Sequence, residues 1–208
     1  MKKKFLYNAF LIVLCFVLTS CGSKMKMLHS WTDDSLKGYS VDDVLVIGFT
    51  RDHTSQRLFE DSFVEGFVAE NITAVQSYKT SGWETKPDKE KVREAIEKSG
   101  AKTVLMTILI DKKTKINRYA GMGSLEYVST AYYSGMYSFY GSCVMAVPIT
   151  TTTGKTLYLE SNLYDVASEK LIWTGLTEAK NPTRIKTDFQ KFAKVLMDDL
   201  RQQNILSP

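Results

Sequence analysis

The sequence is poor in the residues from which most catalytic and metal sites are built. It holds two histidines, His29 and His53, far apart in the chain, and three cysteines, Cys15, Cys21 and Cys143. Zinc sites and nucleophile–histidine pairs need several such groups at defined spacing, so no metal, cofactor or catalytic residue is expected. Gly48 precedes a helical stretch, but no glycine-rich fingerprint or Lys-Ser/Thr pair follows it. A phosphate-binding loop of that kind is therefore excluded, and a tight strand-to-helix turn is expected instead. Charge of one sign is also lacking. The net +4 includes Lys2, Lys3 and Lys4, and without them the chain stands at about +1. That is no basic field for nucleic acid, so no nucleic-acid partner is expected. The apolar run Phe5 to Leu18 falls short of the ~20 residues a spanning helix requires.

That run is instead the right length for the core of a secretory signal. The three lysines precede it, and Leu18-Thr19-Ser20-Cys21-Gly22 follows. This stretch resembles the lipobox of bacterial lipoproteins. The resemblance implies cleavage before Cys21, a diacylglyceryl group on its sulfur and an acyl group on its amine. Three chains, at ~0.8 kcal/mol per buried methylene, exceed the two signals that stable anchoring needs. Gly22, in place of Asp, implies sorting to the outer membrane, with the protein on its periplasmic face. The expected organisation is a signal peptide at 1–20, the lipidated Cys21 and a tether over 21–43, and one domain over 44–208. About 190 residues remain after cleavage, enough for one domain with a sizeable core. Cys15 leaves with the signal and Cys21 carries lipid, so Cys143 has no disulfide partner. It is expected to be a small buried apolar residue.

Within the tether, Met25, Met27 and Leu28 are scattered among polar residues, and Trp31 is expected to pack onto the domain edge. Val44 to Phe49 is a continuous β-branched and apolar run, the signal of a buried strand. Small polar residues from Thr50 to Ser55 can cap a helix that follows. From Gln56 to Ala69, Phe59, Phe63 and Phe67 recur every fourth residue and are joined by Val64 and Val68 on one face. Arg57 and Glu60, at helical spacing, are expected to form a surface ion pair worth tenths of a kcal/mol. The carboxylate pairs Asp33-Asp34, Asp42-Asp43 and Glu60-Asp61 read as loop ends or helix surface. Ile72 to Tyr78 predicts a second strand. Pro87, Asp88 and Glu90 suit the start of a second helix, Val92, Ala95 and Ile96 its apolar face, and Ser99-Gly100 its stop. Thr103 to Ile110 predicts a third strand, and two right-handed crossovers would make the three strands parallel.

Residues 111–153 break this pattern. The segment is rich in Tyr, Gly, Ser and Thr, and connections this long are usually functional or disordered. An extended hairpin or flap across the sheet is expected. Tyr127, Tyr132, Tyr133, Tyr137, Phe139 and Tyr140 are the candidate partner-binding residues, because tyrosine offers large amphipathic contact area and is enriched at interfaces. Cover for the chain's own sheet is the competing role, and insertion into lipid a third. Lys155–Val166 and Lys170–Glu178 then predict a β-hairpin. Ile185, Phe189, Phe192, Ala193, Leu196 and Leu200 mark a closing helix over roughly Arg184 to Gln203. The expected fold is a single α/β domain in the order βαβαβ-(insertion)-ββα, a mixed sheet packed by helices.

This order, with Arg57-Leu58-Phe59-Glu60-Asp61, Ala74-Val75-Gln76-Ser77-Tyr78, and Asn162-Leu163-Tyr164-Asp165 followed by Lys170-Leu171-Ile172-Trp173-Thr174-Gly175, resembles a group of uncharacterised Gram-negative lipoproteins. Their domain is similar in plan to the amino-terminal domain of TolB, the periplasmic domain of the curli secretion-channel lipoprotein, and lipoprotein activators of cell-wall synthases. Such patterns imply a fold and not an activity, and only Cys21 carries over as a residue with a chemical role. The resulting expectation is a non-enzymatic binding or accessory module of the cell envelope, held by lipid on Cys21 and docking a protein partner. The alternatives are a subunit of an oligomeric outer-membrane export channel, and a hydrolase acting on peptidoglycan or glycan.

Overall fold

A computed structural model describes residues 23–36, 39–50, 52–80, 89–110, 135–136, 156–182 and 184–206. Six strands form one mixed sheet: β1 (Lys24–Thr32), β2 (Asp43–Phe49), β3 (Thr73–Gln76), β4 (Thr103–Ile110), β5 (Thr156–Asp165) and β6 (Leu171–Lys180), in the spatial order β1-β6-β5-β4-β2-β3. The helices are α1 (His53–Ala69), the single turn α2 (Ser77–Thr80), α3 (Lys89–Ser99) and α4 (Ile185–Gln202). The expected α/β mixed sheet is what folds. No helix among the described residues is long and apolar enough to cross a membrane.

Strands β2, β3 and β4 are parallel, with β2 in the middle. The chain steps outward from β2 to β3 and then back across β2 to β4. Right-handed crossovers in opposite directions place their helices on opposite faces of the sheet. Accordingly Phe59, Phe63 and Phe67 of α1 pack on one face with Val44, Val46 and Leu105. Val92, Ala95 and Ile96 of α3 pack on the other with Leu45, Ile47 and Met106. Gly100 ends α3 at φ +65°, its N–H donating to the Ile96 carbonyl at 3.1 Å, the left-handed stop that glycine adopts at least cost. Helix α4 lies beside α1. Phe59 stacks on Phe63 at 4.4 Å between centroids, and Phe192 of α4 meets Phe63 edge-on at 5.0 Å. Each such ring, fully buried, contributes roughly 1.5–3 kcal/mol.

Three expectations are corrected. The segment read as a tether enters the sheet at once: Lys24–Thr32 is an edge strand, antiparallel to β6 from Lys24↔Lys180 to Thr32↔Trp173, with a bulge near Leu28. Exposed Lys24 and Lys26 alternate with half-buried Met25 and Met27, the period-2 pattern of a strand covered on one face. Trp31 packs from this strand against the core. The second strand stops at Gln76, and Ser77–Thr80 turns into α2, because Ser77 is drawn inward by a buried carboxylate described below. Val68 is 57% exposed. It sits about 100° around the helix from Phe67, beyond the stripe that α4 and the sheet cover.

The hairpin of β5 and β6 and the bounds of α4 fall within two residues of expectation, Arg184 and Gln203 being the caps of α4. The predicted helix start at Pro87 lies outside the described residues, as does the insertion apart from Gly135 and Met136. Met136 is buried in the α3-side core, and its N–H donates to the Glu169 carbonyl at 3.2 Å, in the β5–β6 turn.

Candidate functional site

Glu60 governs the local geometry of α1. Far from pairing with Arg57 at the surface, it is fully buried. Its Oε1 accepts from Gly48 N–H at 3.1 Å, Gln56 Nε2 at 3.0 Å and Ser77 Oγ at 2.6 Å, and its Oε2 accepts from Tyr78 N–H at 3.2 Å. One carboxylate thus ties β2, α1 and α2 together. Burial pushes its pKa above the ordinary carboxyl value, against the pull of those four hydrogen bonds. Arg57 lies over the Tyr78 ring instead, 5.4 Å from its centroid. The Tyr78 hydroxyl donates to Asp61 at 2.7 Å, and its pKa is pushed up to about 12 by burial and by that carboxylate. The tight strand-to-helix turn expected at Gly48 does not start there. Gly48 is an interior strand residue, where an added Cβ would stand 2.5 Å from the Phe59 ring.

Where β2 and β4 end and α1 and α4 begin lies a cavity of about 410 Å³. Its walls are mainly apolar, supplied by Phe49, Phe59, Leu109, Leu157, Phe189 and Phe192. Volume and lining match small-molecule pockets, which run about 300–1,000 Å³ with a few placed polar groups. The polar residues at its wall include Thr107, Asp52, Asp188, Ser55, Thr50 and Arg184. The Thr107 and Ser161 hydroxyls bond each other at 2.8 Å. Both carboxylates cap helices. Asp52 accepts the Ser55 N–H at 2.8 Å, which holds it below the usual carboxylate range. Asp188, in the first turn of α4, accepts the Arg184 N–H at 2.9 Å.

Ser23, the first described residue, lies beside this cavity. Ser23 donates its hydroxyl to Asp188, Lys191 donates to the Ser23 carbonyl at 3.2 Å and hydroxyl at 2.9 Å, and Met25 lines the cavity wall. Next to it runs a groove lined by Lys24, Lys26, Lys180, Lys191 and Lys194, with Glu178 and Asp198 as its acidic residues. Ile185, 48% exposed, stands on the cavity rim.

Cys21, Tyr127, Tyr132, Tyr133, Tyr137, Phe139, Tyr140 and Cys143 all lie outside the described residues. Among the described residues no cluster of three His, Cys, Asp or Glu side chains could hold a metal ion. The cavity and the lysine groove escaped the sequence reading. The signal that could have found them is Lys24-Met25-Lys26-Met27, whose alternation marks a strand with a charged and an apolar face.

No family model and no curated protein matches the chain. Among solved structures it is similar to PelC of Paraburkholderia phytofirmans, described as a dodecamer, at a TM-score of 0.45 and 12% identity over 90% of this chain and all of that one. A PelC variant dodecamer from the same organism gives 0.43 and 13%, covering 85% of this chain and 96% of the other. At these values the likeness carries no inference about assembly or activity.

Proposed function

We propose that the protein is a lipid-anchored, non-enzymatic binding module of the cell envelope, joined through Cys21 to the periplasmic face of the outer membrane. The observation that supports this best is the placement of Ser23, the first described residue. Two residues after Cys21, Ser23 is already bonded to Asp188 and Lys191 of α4. Two residues reach at most about 7 Å, so a lipid on Cys21 holds this end of the domain on the membrane with no spacer. Tethering raises the local concentration of whatever the module binds, and the apolar cavity beside the anchor is its binding element. The carboxylates at the cavity are committed to helix caps, which favours binding over acid–base chemistry.

The test is fractionation of cells making the wild-type chain or Cys21→Ser, with the mass of the purified product. Wild-type protein in the outer membrane at the mass of a lipidated chain starting at residue 21, with Cys21→Ser released, is the expected result. A wild-type chain found soluble, or cut elsewhere without lipid, would sink the reading. The native mass of Cys21→Ser without detergent tests the channel alternative: a monomer or small oligomer is expected, and a large defined ring would favour the channel.

A further inference from the structure

We infer that the lysine groove and the adjoining cavity form one site for an anionic phospholipid of the anchoring leaflet, its headgroup on the lysines and one acyl chain in the cavity. The inference deepens the proposed function and rests on it for the location of the leaflet.

The two features meet at the edge of the sheet. Met25 borders both, and its neighbours Lys24 and Lys26, on the other face of β1, line the groove. Ser23 bridges them, bonded to Asp188 on the cavity side and to Lys191 on the groove side. The site is therefore amphipathic in the order a phospholipid requires, cationic at one end and apolar at the other.

Charge complementarity selects an anionic headgroup. The mature chain is close to neutral, yet five lysines gather along this one groove. Part of that charge is offset. Glu178 lies 3.6 Å from Lys26 and 3.4 Å from Lys180, and Lys194 lies 3.3 Å from Asp198. Five cations against two carboxylates leave a local excess at the place where Cys21 brings the membrane. Juxtamembrane lysines are attracted by anionic leaflets over about a Debye length. On the apolar side, a cavity walled by Phe49, Phe59, Phe189 and Phe192 and rimmed by exposed Ile185 has the lining an acyl chain would meet.

The test uses the chain from residue 21 with Cys21→Ser, so that binding is read without the covalent anchor. Co-sedimentation with phosphatidylglycerol vesicles should be at least 10-fold stronger than with phosphatidylcholine vesicles, and should weaken as NaCl is raised. Lys24→Glu with Lys194→Glu should lose 10-fold or more. Lys170→Glu, the same change of charge in the β5–β6 turn, should leave binding unchanged. Ile185→Glu should lose several-fold with its unfolding midpoint preserved. Equal binding to both vesicle types would overturn the inference, as would an equal loss in Lys170→Glu. So would binding to heparin with no binding to vesicles, which would assign the groove to a soluble polyanion. These outcomes are separable from failure of the anchoring reading: a wild-type chain without lipid on Cys21 would sink that reading and leave the vesicle result standing.

Discussion

The two faces of the sheet are built on different principles. The face under α1 and α4 is an aromatic stack of Phe59, Phe63, Phe67 and Phe192, closed at one end by the Glu60 clamp and opened beside it into a cavity. The face under α3 carries Leu45, Met106, Tyr164 and Met136, with Asn162 and Glu160 of β5 buried among the strands. On the first face every donor aimed at Glu60 is used. On the second, both side-chain polar atoms of Asn162 are buried without a hydrogen-bond partner among the described residues. A satisfied buried polar group holds elements in place, whereas an unsatisfied one only costs free energy. The same type of feature therefore has opposite consequences on the two sides.

Mutation can test that contrast. Glu60→Ala should have the largest effect. It leaves the Gly48 N–H, the Ser77 hydroxyl and the Tyr78 N–H without their acceptor, and should cost about 3–4 kcal/mol in chemical denaturation. A loss under 1 kcal/mol would mean that water replaces the carboxylate and the clamp is idle. Gly48→Ala comes next, at about 1–3 kcal/mol, because its Cβ would displace the Phe59 ring. Denaturation midpoints matching wild type would show that the ring has room to shift.

The pH dependence follows from the same carboxylate. Its pKa is raised in the folded state, so the fold holds a proton that the unfolded chain releases. Its contribution is full below the ordinary carboxyl value of 4.5 and is lost as pH rises through the folded value. Glu60→Gln should flatten that limb of the stability curve, and an unaltered slope would assign it to other groups. On the opposite face Asn162→Leu should have the smallest effect, between neutral and about 1 kcal/mol stabilising. A clear loss of stability would show that Asn162 holds a partner when folded.

What the sequence reveals depends on how far each signal reaches. The Phe59–Phe63–Phe67 stripe, the Val44–Phe49 run and the turn between β5 and β6 are local patterns, and the elements they predict form. Glu60 could not be read in this way. Its burial depends on Gly48 and Ser77 arriving from other elements, so the spacing to Arg57 pointed to a surface pair that does not exist. Strand β1 was hidden because its partner β6 lies some 150 residues away and its lysines read as solvent-facing linker. The cavity lies where two strand ends meet two helix starts, a property of packing that no periodicity encodes.

The most direct measurement is hydrogen–deuterium exchange of the Cys21→Ser chain with and without phosphatidylglycerol vesicles. The account predicts added protection in Lys24–Thr32 and in the first half of α4, Ile185–Lys194, with Lys89–Ser99 on the opposite face unchanged. Protection confined to α3, or spread evenly over both faces, would contradict it.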